Sequence, residues 1–417
     1  MDIDGTVTGE YIAKEAIAGS DVVLTIDSNV QAITEKALKD NITKISTGGF
    51  SSRSDANAGA VVVMNVKTGE VLAMASYPDY EPQLFVNGIS NEKYEEYTKG
   101  SALYNRAISG TYAPGSIFKM VTAIAGLETG VINTKTTIND TGVYPYAHKP
   151  VCWYYTEYRR GHGFLNVSQA IKHSCNYFFY EVGNRIGIET LEKYAQYFGL
   201  GKKTNIELPS ESSGVVASKK RADEEKRTWY LGETLSASIG QSYNNFTPIQ
   251  MAKYISMLAN GGKNIDVSLI KTVIDSNGNE MSKQEIDEYV NKKLNLTSDD
   301  NTQDLNISQD NLKAILEGMK GVTSESGGTA YSTFSKFNIE VAGKTGTAQA
   351  GNKTNGWFAG FAPYDNPEIA VVVVVENVTH GGYTAEVARD IFAEYFGMNS
   401  GEITESQQAV PSVQITR

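Results

Sequence analysis

The 417-residue chain predicts an α/β fold, a central antiparallel sheet sandwiched by helices with a mostly helical subdomain beside it. Three observations carry this expectation. Strand-like runs gather near both ends of the chain, over 60–76 and 337–375, whereas the stretch from 165 to 260 reads as helical. The run Ile369-Ala370-Val371-Val372-Val373-Val374-Val375 is apolar at every position, which suits a central strand covered on both faces. With 41% hydrophobic residues, there is enough apolar material for one large core or two moderate ones.

Residues 1–20, with Gly5, Gly9 and Gly19 and no sustained period, read as a linker or the remnant of a preceding domain. The body is expected over 21–397 and a polar, disordered tail over 398–417. Asp21 to Asp27 reads as a strand, and Ser28 or Asn29 caps a helix through Leu38 on the stripe Val30, Ile33, Ala37, Leu38. Residues 44–57 are Ser/Gly-rich loop. A hairpin follows, Ala60–Val66 and Val71–Ser76 around the turn Lys67-Thr68-Gly69-Glu70. The stretch 77–113 looks irregular and ends at Pro114-Gly115; an apolar helix over 116–128 stops at Gly130. Turns at Gly199-Leu200-Gly201 and near Pro209 break the helical middle. Residues 262–310 read as a partly strand-bearing polar excursion. After a helix over 309–320 come strands over 337–350, 356–362 and 369–375, then a closing helix over 384–396.

A formal net charge of −11 and the lack of a basic stripe argue against a nucleic-acid partner. No run of 18 apolar residues is present to span a bilayer, and Met1-Asp2-Ile3-Asp4-Gly5 is no secretory signal. Two locations stay open: the cytoplasm, or the membrane through an anchor outside this sequence. Two cysteines, Cys152 and Cys175, rule out a disulfide-stapled scaffold.

Three motifs carry chemistry. Pro114-Gly115-Ser116 opens a helix, and Lys119, three residues on, shares a face with Ser116. A serine hydroxyl needs a neighbour to remove its proton. An amine does so only when neutral, which burial or a nearby cation such as Lys344 favours. Ile117, Phe118, Met120 and Val121 surround Lys119, so it is no ordinary solvated helix lysine. Next, Ser174 and Asn176 flank Cys175 at a junction between helical segments 166–173 and 177–186. There a hydroxyl can relay a proton and an amide can bind substrate backbone. Last, Lys344-Thr345-Gly346-Thr347 lies on a strand: Gly346 permits close approach, while Lys344, Thr345 and Thr347 can hold a carboxylate. Backbone N–H groups of Ser116 and Thr347 would form an oxyanion hole. Strict alternation puts Lys344 on the face opposite Thr345 and Thr347, so the site must use the strand edge or a twist.

Together the motifs resemble those of the penicilloyl serine transferases. Asn105-Arg106-Ala107, Tyr112 to Ser116, Ile239-Gly240-Gln241, Thr247-Pro248 and Trp357 to Phe361 are similar to the transpeptidase domain of class B penicillin-binding proteins. Phe85 to Ser90 and Gly161-His162-Gly163 look most like the elongation-type members. The resemblance implies the serine β-lactamase/transpeptidase-like fold and a D,D-transpeptidase. Such an enzyme cross-links stem peptides ending in D-Ala-D-Ala, is acylated by β-lactams, and works on the extracytoplasmic face of the cell membrane with a glycosyltransferase partner. It assigns Ser116 as nucleophile, Lys119 as base, Ser174 as shuttle and Asn176 as donor-orienting group, with Lys344, Thr345, Gly346 and Thr347 at the terminal carboxylate or oxyanion. A serine β-lactamase and a β-lactam sensor are the rival readings.

Cys175 sits inside the second motif, with Cys152, His162 and Asp140 before it. Thiolate, imidazole and carboxylate are ligands zinc prefers, and four of them close a tetrahedral structural site. The resemblance points to Asp140, Cys152, His162 and Cys175 as that set, with His173 and His148 as substitutes. A Cys152–Cys175 disulfide and two free thiols stand as alternatives.

Overall fold

Alternating side chains along a few strands decide the architecture. The computed structural model describes Asp4, residues 18–296 and residues 304–398. The chain runs through β1 (Asp21–Leu24), α1 (Ser28–Ser46), β2 (Gly59–Asn65), β3 (Val71–Tyr77), α2 (Gln83–Val86), α3 (Asn91–Lys99), a 3₁₀ turn (Gly115–Phe118) and α4 (Lys119–Glu128). The middle holds β4 (Ile138–Asp140), α5 (Trp153–Tyr158), β5 (Gly163–Leu165), α6 (Val167–Lys172), α7 (Asn176–Tyr197), α8 (Lys219–Glu224), α9 (Leu231–Ser238) and α10 (Pro248–Ala259). Then come β6 (Ile270–Ile274), α11 (Lys283–Leu294), α12 (Gln309–Ser324) and α13 (Tyr331–Phe334). The chain ends its described course with β7 (Ala342–Ala350), β8 (Lys353–Ala362), β9 (Ile369–Val375), a second 3₁₀ turn (Gly381–Thr384) and α14 (Ala385–Tyr395).

The five-stranded sheet has the order β3-β2-β9-β8-β7 and is antiparallel throughout. As expected, β9 is its central strand. Val372 and Val374 join Ala60, Val62 and Met64 in a core built with α4, α7 and α10, while Val371, Val373 and Val375 join Val61 and Val63 in a second core under α1 and α14. Full burial of each such valine stabilises by about 1.5–3 kcal/mol. The α/β sandwich predicted above is therefore the fold.

Several boundaries differ from expectation. Asp27, rather than Ser28 or Asn29, caps α1 by accepting from Asn29 N and Val30 N, and the helix runs on to Ser46 because Ile42 and Ile45 extend its buried stripe. The stretch 77–113 contains α2, a single turn whose Leu84, Phe85 and Val86 stay exposed, and α3, a polar helix that buries only Tyr97, so neither prints a periodic signature. β1 stays out of the main sheet and pairs with β6. The expected strand from 337 begins at Ala342, after α13. The short pair β4–β5 was not anticipated; it sets Asp140 opposite Gly163. The linker over 1–20 and the tail over 398–417 fall almost wholly outside the described residues. Among the described residues no helix is long and apolar enough to cross a membrane.

Candidate active site

Three pieces of chain converge on Ser116. Tyr112 exchanges backbone hydrogen bonds of 2.9 Å with Phe246 in both directions, and Gly115 N donates to Gly240 O at 2.9 Å. Trp357 Nε1, from the core of β8, donates to Ala113 O at 3.0 Å. Gly115 has φ +55°, and a Cβ there would lie 2.9 Å from Thr347 O. Only glycine lets the turn approach β7 so closely. Ser116 is half-buried in the 3₁₀ turn, and Lys119 begins α4 directly behind it.

Lys119 is fully buried and donates to Ser174 O at 2.8 Å, Ser174 Oγ at 3.2 Å and Asn176 Oδ1 at 2.7 Å. None of these bonds goes to Ser116 Oγ. Burial pushes the Lys119 amine down to about 8, although the nearby Cys152 and Cys175 oppose the shift. Lys344, also fully buried, donates to Ser174 Oγ at 2.9 Å and to Thr345 O at 2.9 Å. Burial, then repulsion from Lys119, holds its amine well below the ordinary lysine value. One hydroxyl thus bridges two buried amines that have no carboxylate partner among the described residues. Ser174 reaches this position with φ +52°, in the left-handed region.

The alternation problem at the third motif resolves at an edge. β7 is hydrogen-bonded to β8 on one side only, and the Lys344 side chain runs beneath the strand to Ser174 while Thr345 and Thr347 line the cleft. Thr345 Oγ1 and Thr329 Oγ1 are 2.6 Å apart, and Gly381 N donates to Thr347 Oγ1 at 2.9 Å. The cleft is about 450 Å³ and brings together Ser116, Ser174, Asn176, Thr345 and Thr347. It also takes in Trp153, Glu157, Gln241, Thr329 and the loop 379–382, none of which sequence reasoning singled out as site residues. The glycine pairs Gly327-Gly328 and Gly381-Gly382 were the available signal: a Cβ on Gly381 would overlap Gly346 O.

Behind the second motif, Asp140, Cys152, His162 and Cys175 offer one ligand atom each, all within 4.8 Å of one another. Asp140 Oδ2 is 2.6 Å from His162 Nδ1 and 3.3 Å from Cys175 Sγ; Cys152 Sγ is 3.7 Å from His162 Nδ1 and 4.0 Å from Cys175 Sγ. The two thiols are free, so the disulfide alternative is not what the chain forms here. The Cys175 hydrogen bond, with help from His162 and against burial, lowers the Cys152 thiol to about 5. Burial raises Cys175. Although burial opposes it, hydrogen bonding from His162 and Gly142 N holds Asp140 at about 2. Burial would depress His162, but Asp140 and Cys152 outweigh it and raise the imidazole. His173 lies outside the group, its Nδ1 3.2 Å from Gly327 O, and His148 packs against Tyr146.

Comparison with known proteins agrees with this geometry. Residues 59–395 match the penicillin binding protein transpeptidase domain. The peptidoglycan D,D-transpeptidase MrdA of Acinetobacter baumannii is 32% identical over 402 residues, which cover 91% of this chain and 54% of that relative. The chain thus spans little more than half the length of that curated relative. PBP2 of Pseudomonas aeruginosa, solved in complex with WCK 5153, superposes with a TM-score of 0.78 at 33% identity, covering 94% of this chain and 82% of that one. A structure titled for the coordination of polymerization and crosslinking by a peptidoglycan synthase complex superposes with a TM-score of 0.78 at 29% identity, over 97% and 67% of the two chains.

Proposed function

The chain belongs to the penicillin binding protein transpeptidase domain family, and we propose that it is a serine D,D-transpeptidase that cross-links peptidoglycan stem peptides. The observation that carries the reading is the buried Lys119–Ser174–Lys344 cluster beneath a half-buried Ser116. Ser116 Oγ attacks the carbonyl of the penultimate D-Ala of the donor. Lys119, neutral, takes the hydroxyl proton, and Ser174 Oγ passes a proton to the departing amine as the C–N bond breaks and D-Ala leaves. The acceptor amine then attacks the ester, a new amide forms, and its lost proton returns by the same relay to Ser116. Lys119 bonds to Ser174 and Asn176 before substrate arrives; such contacts commonly re-form around a bound substrate. Lys344, Thr345 and Thr347 receive the donor's terminal carboxylate, Gly346 admits it close to the strand, and the N–H groups of Ser116 and Thr347 hold the oxyanion. β-Lactams, which present the same acyl and carboxylate groups, acylate Ser116.

The donor set of Asp140, Cys152, His162 and Cys175 suits zinc, whose tetrahedral N, O and S ligands sit roughly 3.3–3.8 Å apart; to bind it, the direct Asp140–His162 contact of 2.6 Å would have to open. When bound, the ion supplies a closed structural tie that fixes the segment bearing Ser174 and Asn176, and it takes no part in proton transfer. Membership of the family supports work at the extracytoplasmic face of the cell membrane, and the similar structure titled for polymerization and crosslinking by a peptidoglycan synthase complex supports a polymerizing glycosyltransferase as partner.

The test is labelling with a fluorescent penicillin followed by intact-mass analysis. The wild-type chain should gain one covalent adduct, and Ser116→Ala should gain none. Stoichiometric labelling of Ser116→Ala would end the assignment, and sustained nitrocefin turnover would replace it with β-lactamase activity.

A further inference from the structure

Two threonines of β7 line the cleft, and each hydroxyl oxygen already has a neighbour. Thr347 Oγ1 accepts from Gly381 N at 2.9 Å, and a backbone N–H can only donate. The hydrogen of the Thr347 hydroxyl is therefore left over for a ligand. Thr345 Oγ1 lies 2.6 Å from Thr329 Oγ1, and there either hydroxyl can be the donor. Among the described residues neither Thr345 nor Thr347 makes a further side-chain hydrogen bond. Direction at this one contact decides what Thr345 shows the cleft. If Thr345 donates to Thr329, only its lone pairs remain, and lone pairs repel an anion. If Thr329 donates, Thr345 keeps a hydrogen to give, as Thr347 does.

Thr329 is held firmly enough to set that direction. It lies in the turn between α12 and α13, where Gly328 N donates to Glu325 O at 2.9 Å and Ala330 N donates to Val322 O at 3.0 Å. Lys172 of α6 pins the same turn from the side, its Nζ 2.7 Å from Glu325 Oε2. The Thr329 hydroxyl thus meets β7 from a tethered turn.

We propose that Thr329 is a positioning residue for the acyl donor: its hydroxyl donates to Thr345 Oγ1 and so turns the Thr345 hydrogen toward the donor's terminal carboxylate. The inference rests on the transpeptidase reading above, in which β7 receives that carboxylate. A carboxylate accepts only, so both β7 hydroxyls must donate to it, and Thr345 can do so only when Thr329 supplies the hydrogen between them. Such a chain is also self-reinforcing. Donation into Thr345 polarises its own O–H, and the last bond, to a charged acceptor, gains most. Thr329 acts through Thr345 and need not touch the donor.

The experiment measures the second-order rate constant of acylation, by intact mass, for a penicillin and for the same penicillin with its carboxylate converted to carboxamide. Thr329→Val keeps the shape and removes the hydroxyl. It should slow acylation by the free acid about tenfold, the size of one hydrogen bond to a charged group, and leave the carboxamide nearly unchanged. Thr329→Ser should behave as wild type. Thr345→Val should lose at least as much, and adding Thr329→Val to it should cost nothing further. An equal loss with both penicillins would make Thr329 merely structural and overturn the proposal. So would no loss with either, or losses that simply add in the double variant. Should Thr329→Val melt early, Thr329→Ala deletes the same hydroxyl with less bulk and is read in the same way. A wild-type chain that is not acylated at all would instead bring down the acylation reading, and this inference with it.

Discussion

Two buried polar clusters meet at residues 174–176, and they are opposite in charge. On one side Lys119 and Lys344 share Ser174 Oγ, at 3.2 and 2.9 Å, with no anion bonded to either among the described residues. On the other, Asp140, Cys152 and Cys175 crowd around His162 within 4.8 Å. The same desolvation acts on both. Among uncompensated cations it favours loss of a proton and yields a base. Among acids and thiols it makes a place whose charge is settled most cheaply by a bound cation. Proximity without direct bonding is the instructive part: among the described residues the two lysines form no ion pair with the thiols or with Asp140, although Cys152 and Cys175 still pull the Lys119 amine upward against burial.

The contrast can be attacked from the cation side first. Lys119→Ala should lower the penicillin acylation rate about 10³-fold, within the range for loss of a general base, measured by stopped-flow labelling. A pH profile is gentler. Because Lys119 is lowered to about 8, its reactive neutral form grows about tenfold per pH unit below that value and saturates above it. Acylation should follow this rise; a flat profile between pH 6 and 9 would remove Lys119 as the base. Linkage runs in the same direction. The unfolded chain, with an ordinary lysine, holds the proton up to 10.5, whereas the folded chain releases it near 8. Lys119 therefore makes stability rise with pH across that window, an increment that Lys119→Met should abolish in denaturant titrations at pH 7.5 and 10.

From the anion side, chelation should lower Tm by several degrees, and Cys175→Ser should make the melt insensitive to chelator. An unchanged melt, with no metal by elemental analysis, would reduce this cluster to a hydrogen-bonded group. Smallest is Gly381→Ala. Its Cβ would overlap Gly346 O, so the loop over β7 must shift, at about 1–3 kcal/mol, seen as a modest Tm loss with slower acylation.

Local motifs were readable because they are local. Ser116 and Lys119 are three residues apart, and the position of Lys119 among apolar neighbours announced its burial before any coordinates did. The same holds for β9, whose unbroken valines allow only a central place. Trp153 and Glu157 were invisible as site residues because packing of distant segments, not spacing, brings them to Ser116. β1 misled for the opposite reason. Val22, Val23 and Leu24 look like core yet are 55%, 39% and 46% exposed, since the strand pairs with β6 at the margin. Strands of three residues, as in β4 and β5, are too short to print a period at all.

The left-handed backbone at Ser174, φ +52°, carries a lasting consequence. A non-glycine residue held there typically costs about 1 kcal/mol or more, and glycine would relieve it. Yet glycine has no oxygen, and without one the two lysines would confront each other across an empty gap. A route to greater stability that is open at most such turns is closed at this one, and random change at this position should drift toward relaxed, inert proteins.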